Sequence, residues 1–278
     1  MKFKRIIARL DIKNNALVKG IHLEGLRVLG APRDFAKRYS EEYIDEIIYM
    51  DVVASLYGRN GLVDLVQKTA ENIFVPLTVG GGIRTLEDVK ELLNAGADKV
   101  CINTAAVNNP QLIADIADKY GSSTLVVALE VIKIDGKYMI FTDNGREFTG
   151  RNAIEWAKEV EELGAGEILL TSVDHEGTLK GFDMDLIDEI KDVINLPIIV
   201  HGGMGKIKDA VELFKEHDID ALCASSVFHY EYIKHFSEIE SEIMGNKDFI
   251  KSKKSTKEGI GIIELKNVLQ ENGIGVRL

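Results

Sequence analysis

VGGGIRTLEDV at 79–89 and VHGGMGKIKDA at 200–210 are two versions of one phrase. Each begins on the last residue of an apolar run, turns on consecutive glycines and continues into an amphipathic stretch. Strand, tight turn and helix in that order form the unit from which parallel sheets are built. The two copies stand 121 residues apart (79 to 200), and their neighbours keep the spacing. EIIYMDVV at 46–53 returns as EILLTSVD at 167–174, again 121 apart, and DKVCINTA at 98–105 returns as DALCASSV at 220–227, 122 apart. Asp11 in RLDIK and Glu130 in ALEVIK are 119 apart. Four matches in one order describe a chain doubled from a half.

Outward from these repeats, strand-like runs lie at 5–11, 46–51, 75–79, 99–103, 124–130, 167–171, 197–201 and 221–225. Amphipathic stretches such as 85–95, 109–120 and 153–163 separate them. Units of β followed by α, all in one direction, demand parallel strands with crossover helices, and eight of them close a barrel. The expectation is an α/β fold: one (β/α)₈ TIM barrel over 1–278, made of duplicated halves of about 1–120 and 121–278. The lysine-rich NKDFIKSKKSTKEG at 246–259 reads as part of a solvated surface insertion near 238–259.

Composition narrows the function. Hydrophobic residues at 45% and charged residues at 28% describe an ordinary globular chain. The longest apolar runs are strand-sized, which leaves no membrane span, and MKFKRIIARLDIK is too polar for a signal peptide. Cys101 and Cys223 sit in apolar strand patterns and read as buried, reduced thiols of a cytoplasmic protein, with no metal and no cofactor implied. A net charge of −11 argues against nucleic acid as partner. It leaves room for a small phosphorylated ligand, because a site made of backbone N–H groups and a lysine is local.

In such barrels the chemistry collects at the C-terminal strand ends. Asp11 and Glu130 close equivalent strands of the two halves, so the barrel sets them across its mouth from one another. An opposed pair suits proton donation by one group and acceptance by the other; the alternative is that they cap loop amides. Gly82 in the first half and Gly203 in the second each follow a strand and open a helix, as an anion cradle does and as a plain tight turn also does. The next strand ends carry Asn103 and Thr104 in one half and Ser225 in the other, while Thr171 and His201 close the sixth and seventh strands. A ligand with a phosphate at either end fits two such cradles. The connection at 12–31 is long for a βα loop and reads as a lid, with Lys19 either reaching a phosphate or solvated.

At the opposite end, Arg5, Glu46, Lys99 and Glu167 stand at the starts of strands. Arg5 shares parity with Asp11, Lys99 with Asn103, and Glu167 with Thr171, so these charges point inward if the mouth residues do. Glu46 and Asp51 differ in parity, and Glu46 is not oriented by this argument. Two acids and two bases on a barrel floor form either a structural plug or a functional gate.

RLDIKNNALVKG at 9–20, the stretch 76–110 and EWAKEVEELGAGEILLTSVDHEGTLKGFD at 155–183 resemble the HisF-like family, the cyclase subunit of imidazole glycerol phosphate synthase. The likeness runs from Lys4 to about His229 and resumes at GIGVRL, 273–278. It implies a glutamine amidotransferase in which a glutaminase (HisH-like) docks on the N-terminal face of the barrel and ammonia crosses to the mouth. There a bis-phosphorylated ribulosyl formimino carboxamide nucleotide is cyclised and cleaved to imidazole glycerol phosphate and aminoimidazole carboxamide ribotide. By the resemblance Asp11 is an acid/base residue and Lys19 the lid lysine, and Arg5, Glu46, Lys99 and Glu167 form the gate, with Asp98 facing the glutaminase. It likewise assigns Gly82, Asn103 and Thr104 to one phosphate cradle and Gly177, Gly203 and Ser225 to the other.

The departures from the family pattern all lie at the substrate end. Glu130 replaces the second catalytic aspartate, His201 a serine and Glu176 an aspartate, and ARLD at 8–11 stands where PCLD is common. A methylene shifts a carboxylate by about an ångström, a displacement that can cost about a hundredfold in rate. Three functions therefore stand side by side: the histidine-pathway cyclase; a paralogue delivering ammonia for acetamidino modification of a surface-polysaccharide sugar; and a non-catalytic, ammonia-conducting barrel. An isomerase on the same doubled barrel fits less well, having no use for a gate.

Overall fold

The computed structural model of the protein describes residues 3–54, 62–235, 248–250 and 259–278. Its strands in chain order are β1 (Arg5–Lys13), β2 (Ala16–Ile21), β3 (Glu24–Gly30), β4 (Glu46–Asp51), β5 (Leu77–Gly80), β6 (Lys99–Ile102), β7 (Leu125–Ile134), β8 (Lys137–Thr142), β9 (Glu147–Asn152), β10 (Glu167–Ser172), β11 (Ile198–His201) and β12 (Ala221–Ala224). Among the helices are α1 (Pro32–Glu41), α2 (Val63–Ala70), α3 (Leu86–Asn94), α4 (Thr104–Asn108), α5 (Gln111–Tyr120), α6 (Ala153–Glu162), α7 (Met184–Lys191), α8 (Ile207–Glu216), α9 (Ser226–His235) and α10 (Ile262–Glu271).

Eight strands close on themselves, all parallel: β1 pairs with β4, then β5, β6, β7, β10, β11 and β12 follow, and β12 returns to β1. The fold is the (β/α)₈ barrel expected from the repeats, and every strand-like run coincides with a barrel strand to within a few residues. Strand parity divides the apolar residues into two cores. Ile6, Ala8, Leu10, Ile47 and Tyr49 face outward to the helices, whereas Ile7, Ile48, Cys101, Val126, Leu169, Ile199 and Cys223 fill the barrel interior.

The helices start where the local chemistry demands it. Thr85 and Asp88 form a reciprocal capping box on α3, and Asp88 also accepts from the backbone N of Arg84 at 2.9 Å. Asp209 repeats only the carboxylate half of the device at α8, accepting from the N–H groups of Gly205 and Lys206 at 2.9 and 2.8 Å, because Lys206 stands where Thr85 does and its side chain cannot accept. The doubled phrase thus folds the same way twice, with the carboxylate cap kept in both copies.

One expectation is corrected. The stretch 12–31 is not an irregular lid loop. β1 continues past Asp11 and turns at Asn14-Asn15, both in the left-handed region, and β2 and β3 complete an antiparallel meander. Two adjacent positive-φ residues give the turn whose twist matches paired strands, so the excess length is spent on hairpin pairing. A second excursion, β8 and β9, follows β7 through an Asp135-Gly136 turn at the equivalent place of the second half. The excursions touch where Asn144 Nδ2 donates to Leu23 O at 2.7 Å. Most of the lysine-rich segment expected near 238–259 lies outside the described residues.

Candidate functional site

A cavity of about 380 Å³ opens at the C-terminal ends of β4 to β7, between Gly81, Gly82, Asn103, Thr104, Glu130 and Asp143. Gly81 needs to be glycine: its φ is +100°, and a Cβ there would stand 2.3 Å from Asp51 O. Thr104 Oγ1 donates to Asp143 Oδ1 at 3.3 Å and Asn103 Nδ2 to Phe141 O at 3.4 Å, so the β8–β9 excursion forms one wall. Arg84 adds a cation to the lining. Gly82, Asn103 and Thr104 are therefore brought together around a space large enough for an anion and several waters.

The matching place in the second half is nearly filled. Gly177, His201, Gly203 and Ser225 converge as expected, with Glu176 beside them, but only about 10 Å³ remains, at most the room of a single water. His201 is 3% exposed, its ring lying between Thr171 Oγ1 at 3.2 Å and Ser225 Oγ at 3.5 Å. Burial, together with the charges of Arg9 and Lys19, holds its pKa well below the usual histidine value, so the ring is neutral. Lys19 is neither solvated nor facing open space. It is 2% exposed, it donates to Gly20 O at 2.6 Å, and it is paired with the Glu176 carboxylate, which also accepts from Leu23 N at 2.8 Å. The β2–β3 pair is thereby fastened over the second cradle.

Between the cradles stand the carboxylates, on β1 and β7, with three strands separating them in either direction around the barrel. Glu130 lines the open cavity and its Oε2 accepts from Gly145 N at 2.8 Å. Burial raises its pKa to about 7, against the lowering pull of Arg9 and the Gly145 N–H; the charges of Asp11 and Asp143 push it up further. Asp11 is 3% exposed and does not line that cavity. It accepts at 2.8 Å from Nε of Arg9, a residue that sequence reasoning did not single out, although ARLD at 8–11 was its visible trace.

At the other end of the barrel Arg5, Glu46, Lys99 and Glu167 form a closed ring. Arg5 Nη1 reaches Glu46 Oε1 at 2.7 Å and Glu167 Oε1 at 3.1 Å, and Lys99 Nζ reaches Glu46 Oε2 at 3.3 Å and Glu167 Oε1 at 3.1 Å. Burial opposes the Arg5 charge, yet the two glutamates outweigh it and raise its pKa. Parity left Glu46 unoriented; the structure turns it inward. Asp98, exposed, accepts from Leu77 N at 2.8 Å and borders a depression of about 390 Å³ under Phe74, which is 94% exposed. Phe3 and Tyr43 are further exposed aromatics that precede barrel strands. Among the described residues no group of three or more His, Cys, Asp or Glu side chains is arranged to hold a metal, and no helix is long and apolar enough to cross a membrane.

The family model described as "Histidine biosynthesis protein" matches residues 5–234. Relatives include a Legionella pneumophila protein named imidazole glycerol phosphate synthase subunit HisF, 54% identical over 206 residues, covering 74% of this chain and 97% of that one. A Pyrococcus furiosus protein of the same name is 47% identical over 280 residues, covering all of both chains. One from Thermococcus onnurineus, also so named, is 50% identical over 231 residues, covering 83% of this chain and 91% of its own.

Proposed function

The chain belongs to the histidine biosynthesis protein family, and from that membership we propose that it is the cyclase subunit of an imidazole glycerol phosphate synthase, working in the cytoplasm with a glutaminase partner. The observation that carries the reading is the polarity of the barrel: a ring of four charges at one end and a glycine-walled cavity bearing a buried carboxylate, Glu130, at the other.

The substrate in this reading is the bis-phosphorylated ribulosyl formimino carboxamide nucleotide. One phosphate rests against Gly82, Asn103 and Thr104, where glycine lets the backbone come close to an anion. The other needs the cradle of Gly177, Gly203 and Ser225, with Thr171 and His201 at its base, and enters as Lys19 exchanges Glu176 for phosphate. Ammonia released by the glutaminase, docked about Asp98 and Phe74, passes the gate of Arg5, Glu46, Lys99 and Glu167. At the mouth Asp11 and Glu130 move the protons for ring closure and cleavage, which give imidazole glycerol phosphate and aminoimidazole carboxamide ribotide. The chain's own contribution is geometry and proton transfer, with no cofactor called for.

The test uses the purified chain with that nucleotide and a high concentration of ammonium at alkaline pH, without any partner. Turnover is expected, and its loss in Asp11→Asn. A well-folded chain that leaves the nucleotide untouched refutes the cyclase. A second reading draws on the closed second cradle, with Glu176 and His201 in its lining, and on Glu130 at the open cavity: ammonia delivered to a different acceptor, the N-acetyl group of a surface-polysaccharide sugar, to form an acetamidino group. Acetamidine formation in a reconstituted mixture with the sugar amidotransferase, alongside a silent nucleotide assay, would select it.

A further inference from the structure

Arg9 is the bulkiest charged side chain among the fully buried described residues, at 1% exposure, and the function argued so far makes no use of it. It stands on β1 between Ile7, in the interior apolar cluster, and Asp11, and its parity with both turns it inward. Its Nε donates to Asp11 Oδ1, whereas its Nη2 is buried with no hydrogen-bond partner. The residue at the equivalent place in the second half, 119 positions on, is Ala128, a small side chain of the same interior cluster that leaves the opposite wall clear for the guanidinium. Sealing such a cation from water is costly, and only close anions offset it. Two carboxylates lie in its field, engaged in different ways. Asp11 is bonded to it directly; Glu130 feels it through space and bonds instead to Gly145 N.

We infer that Arg9 is a positioning residue that divides the two carboxylates by role, fixing Asp11 through their direct hydrogen bond as the proton acceptor and leaving Glu130, at the cavity wall, as the proton donor. The remaining neighbours fit that division. Burial keeps Glu130 protonated up to about pH 7. Asp143, from the turn after β8, adds negative charge beside it. On β11, His201 is held neutral. Cys101 on β6 and Cys223 on β12 are buried thiols whose pKa values are pushed above the ordinary range, to about 12 in Cys101. Lys19 on β2 is taken up by Glu176. In a turnover one proton passes from the substrate to Asp11 and one from Glu130 to the substrate. The pair finishes with its charge exchanged, and proton exchange with solvent restores it.

The inference rests on the cyclase reading in its kinetic arm alone. Carboxyl infrared spectra of the full chain, titrated from about pH 5 to 9, are expected to show a neutral-carboxyl band that disappears near neutrality. The band is lost in Glu130→Gln and kept in Asp11→Asn; a band that follows Asp11 overturns the assignment. Arg9→Met should raise the midpoint of the band by about one pH unit or more, because the cation that favours the Glu130 carboxylate is gone. The kcat–pH profile should move the same way, with kcat down about a hundredfold at neutral pH and KM little changed. Arg9→Lys, which keeps the charge, should restore the midpoint. An unmoved midpoint in a folded Arg9→Met protein refutes the role, and should that variant not fold, Arg9→Gln, polar but uncharged, is titrated in its place with the same two outcomes. If the wild type does not turn over the nucleotide, the cyclase reading fails while the spectra still judge Arg9.

Discussion

Glu130 carries one methylene more than the aspartate of the family pattern, and its two carboxyl oxygens are not equivalent: Oε2 is tied to Gly145 N. Its raised pKa has a stability consequence whose sign is fixed. The folded state binds the Glu130 proton more tightly than the unfolded chain does, so the associated stability is complete below the ordinary value of 4.5 and is lost as pH rises through about 7. Thermal unfolding should therefore show a decline in Tm between about pH 5 and 7.5 that flattens in Glu130→Gln, and an equal slope in both proteins would mean that the carboxyl titrates elsewhere. In the ammonium assay the same variant should lose about a hundredfold or more in kcat at every pH, since a carboxamide has no acidic proton to give. Much at this scale was legible. Asp11, Glu130, His201 and the cradle residues follow from strand ends and from doubled phrases, except Gly177, which the resemblance alone supplied. Arg9 was not: Asp11, two residues on, shares its strand face, but Glu130 comes within its field only across the closed barrel.

The excursions are the elements that decide access. β2 and β3 are held down by Glu176, through Lys19 and Leu23 N, and by His22, whose backbone N donates to Glu176 O at 2.9 Å. Removing the Glu176 charge leaves a buried ammonium without its anion, a loss on the order of 3 kcal/mol when the partner remains. Glu176→Gln is thus expected to speed amide hydrogen exchange across residues 16–30, and inorganic phosphate to slow it again; unchanged exchange would show that the lysine pair does not fasten this element. A backbone prediction accompanies it. Gly203 has φ +111°, and a Cβ there would meet Gly181 O at 2.0 Å, so Gly203→Ala should destabilise by more than about 1 kcal/mol in a denaturant titration. The barrel strands were readable because burial on both faces makes them continuous apolar runs. The excursions were missed although Asn14-Asn15 and Asp135-Gly136 are turn-forming pairs, because a run already counted as one strand was not asked where it bends back.

The molecule as a whole is a barrel with two unlike ends separated by an interior apolar cluster. Phe74, almost fully exposed beside the depression at Asp98, belongs to the face proposed for the glutaminase. Phe74→Ser should leave ammonium-driven turnover unchanged and lower glutamine-driven turnover in the reconstituted pair by about tenfold, the weight of a good interface anchor. Equal rates from glutamine in variant and wild type would move the docking face elsewhere.

The floor ring also bears a mark of the doubling. Glu46 and Glu167 are repeat mates, but the mates of Arg5 and Lys99, by the same spacings, are Thr124 and Ala221. Both cations therefore come from one half, and the other contributes an acid alone. Two identical half-barrels paired about a twofold axis would be obliged to present each charge twice. Covalent fusion freed the copies from that obligation, and the lopsided ring is what their separate drift has left.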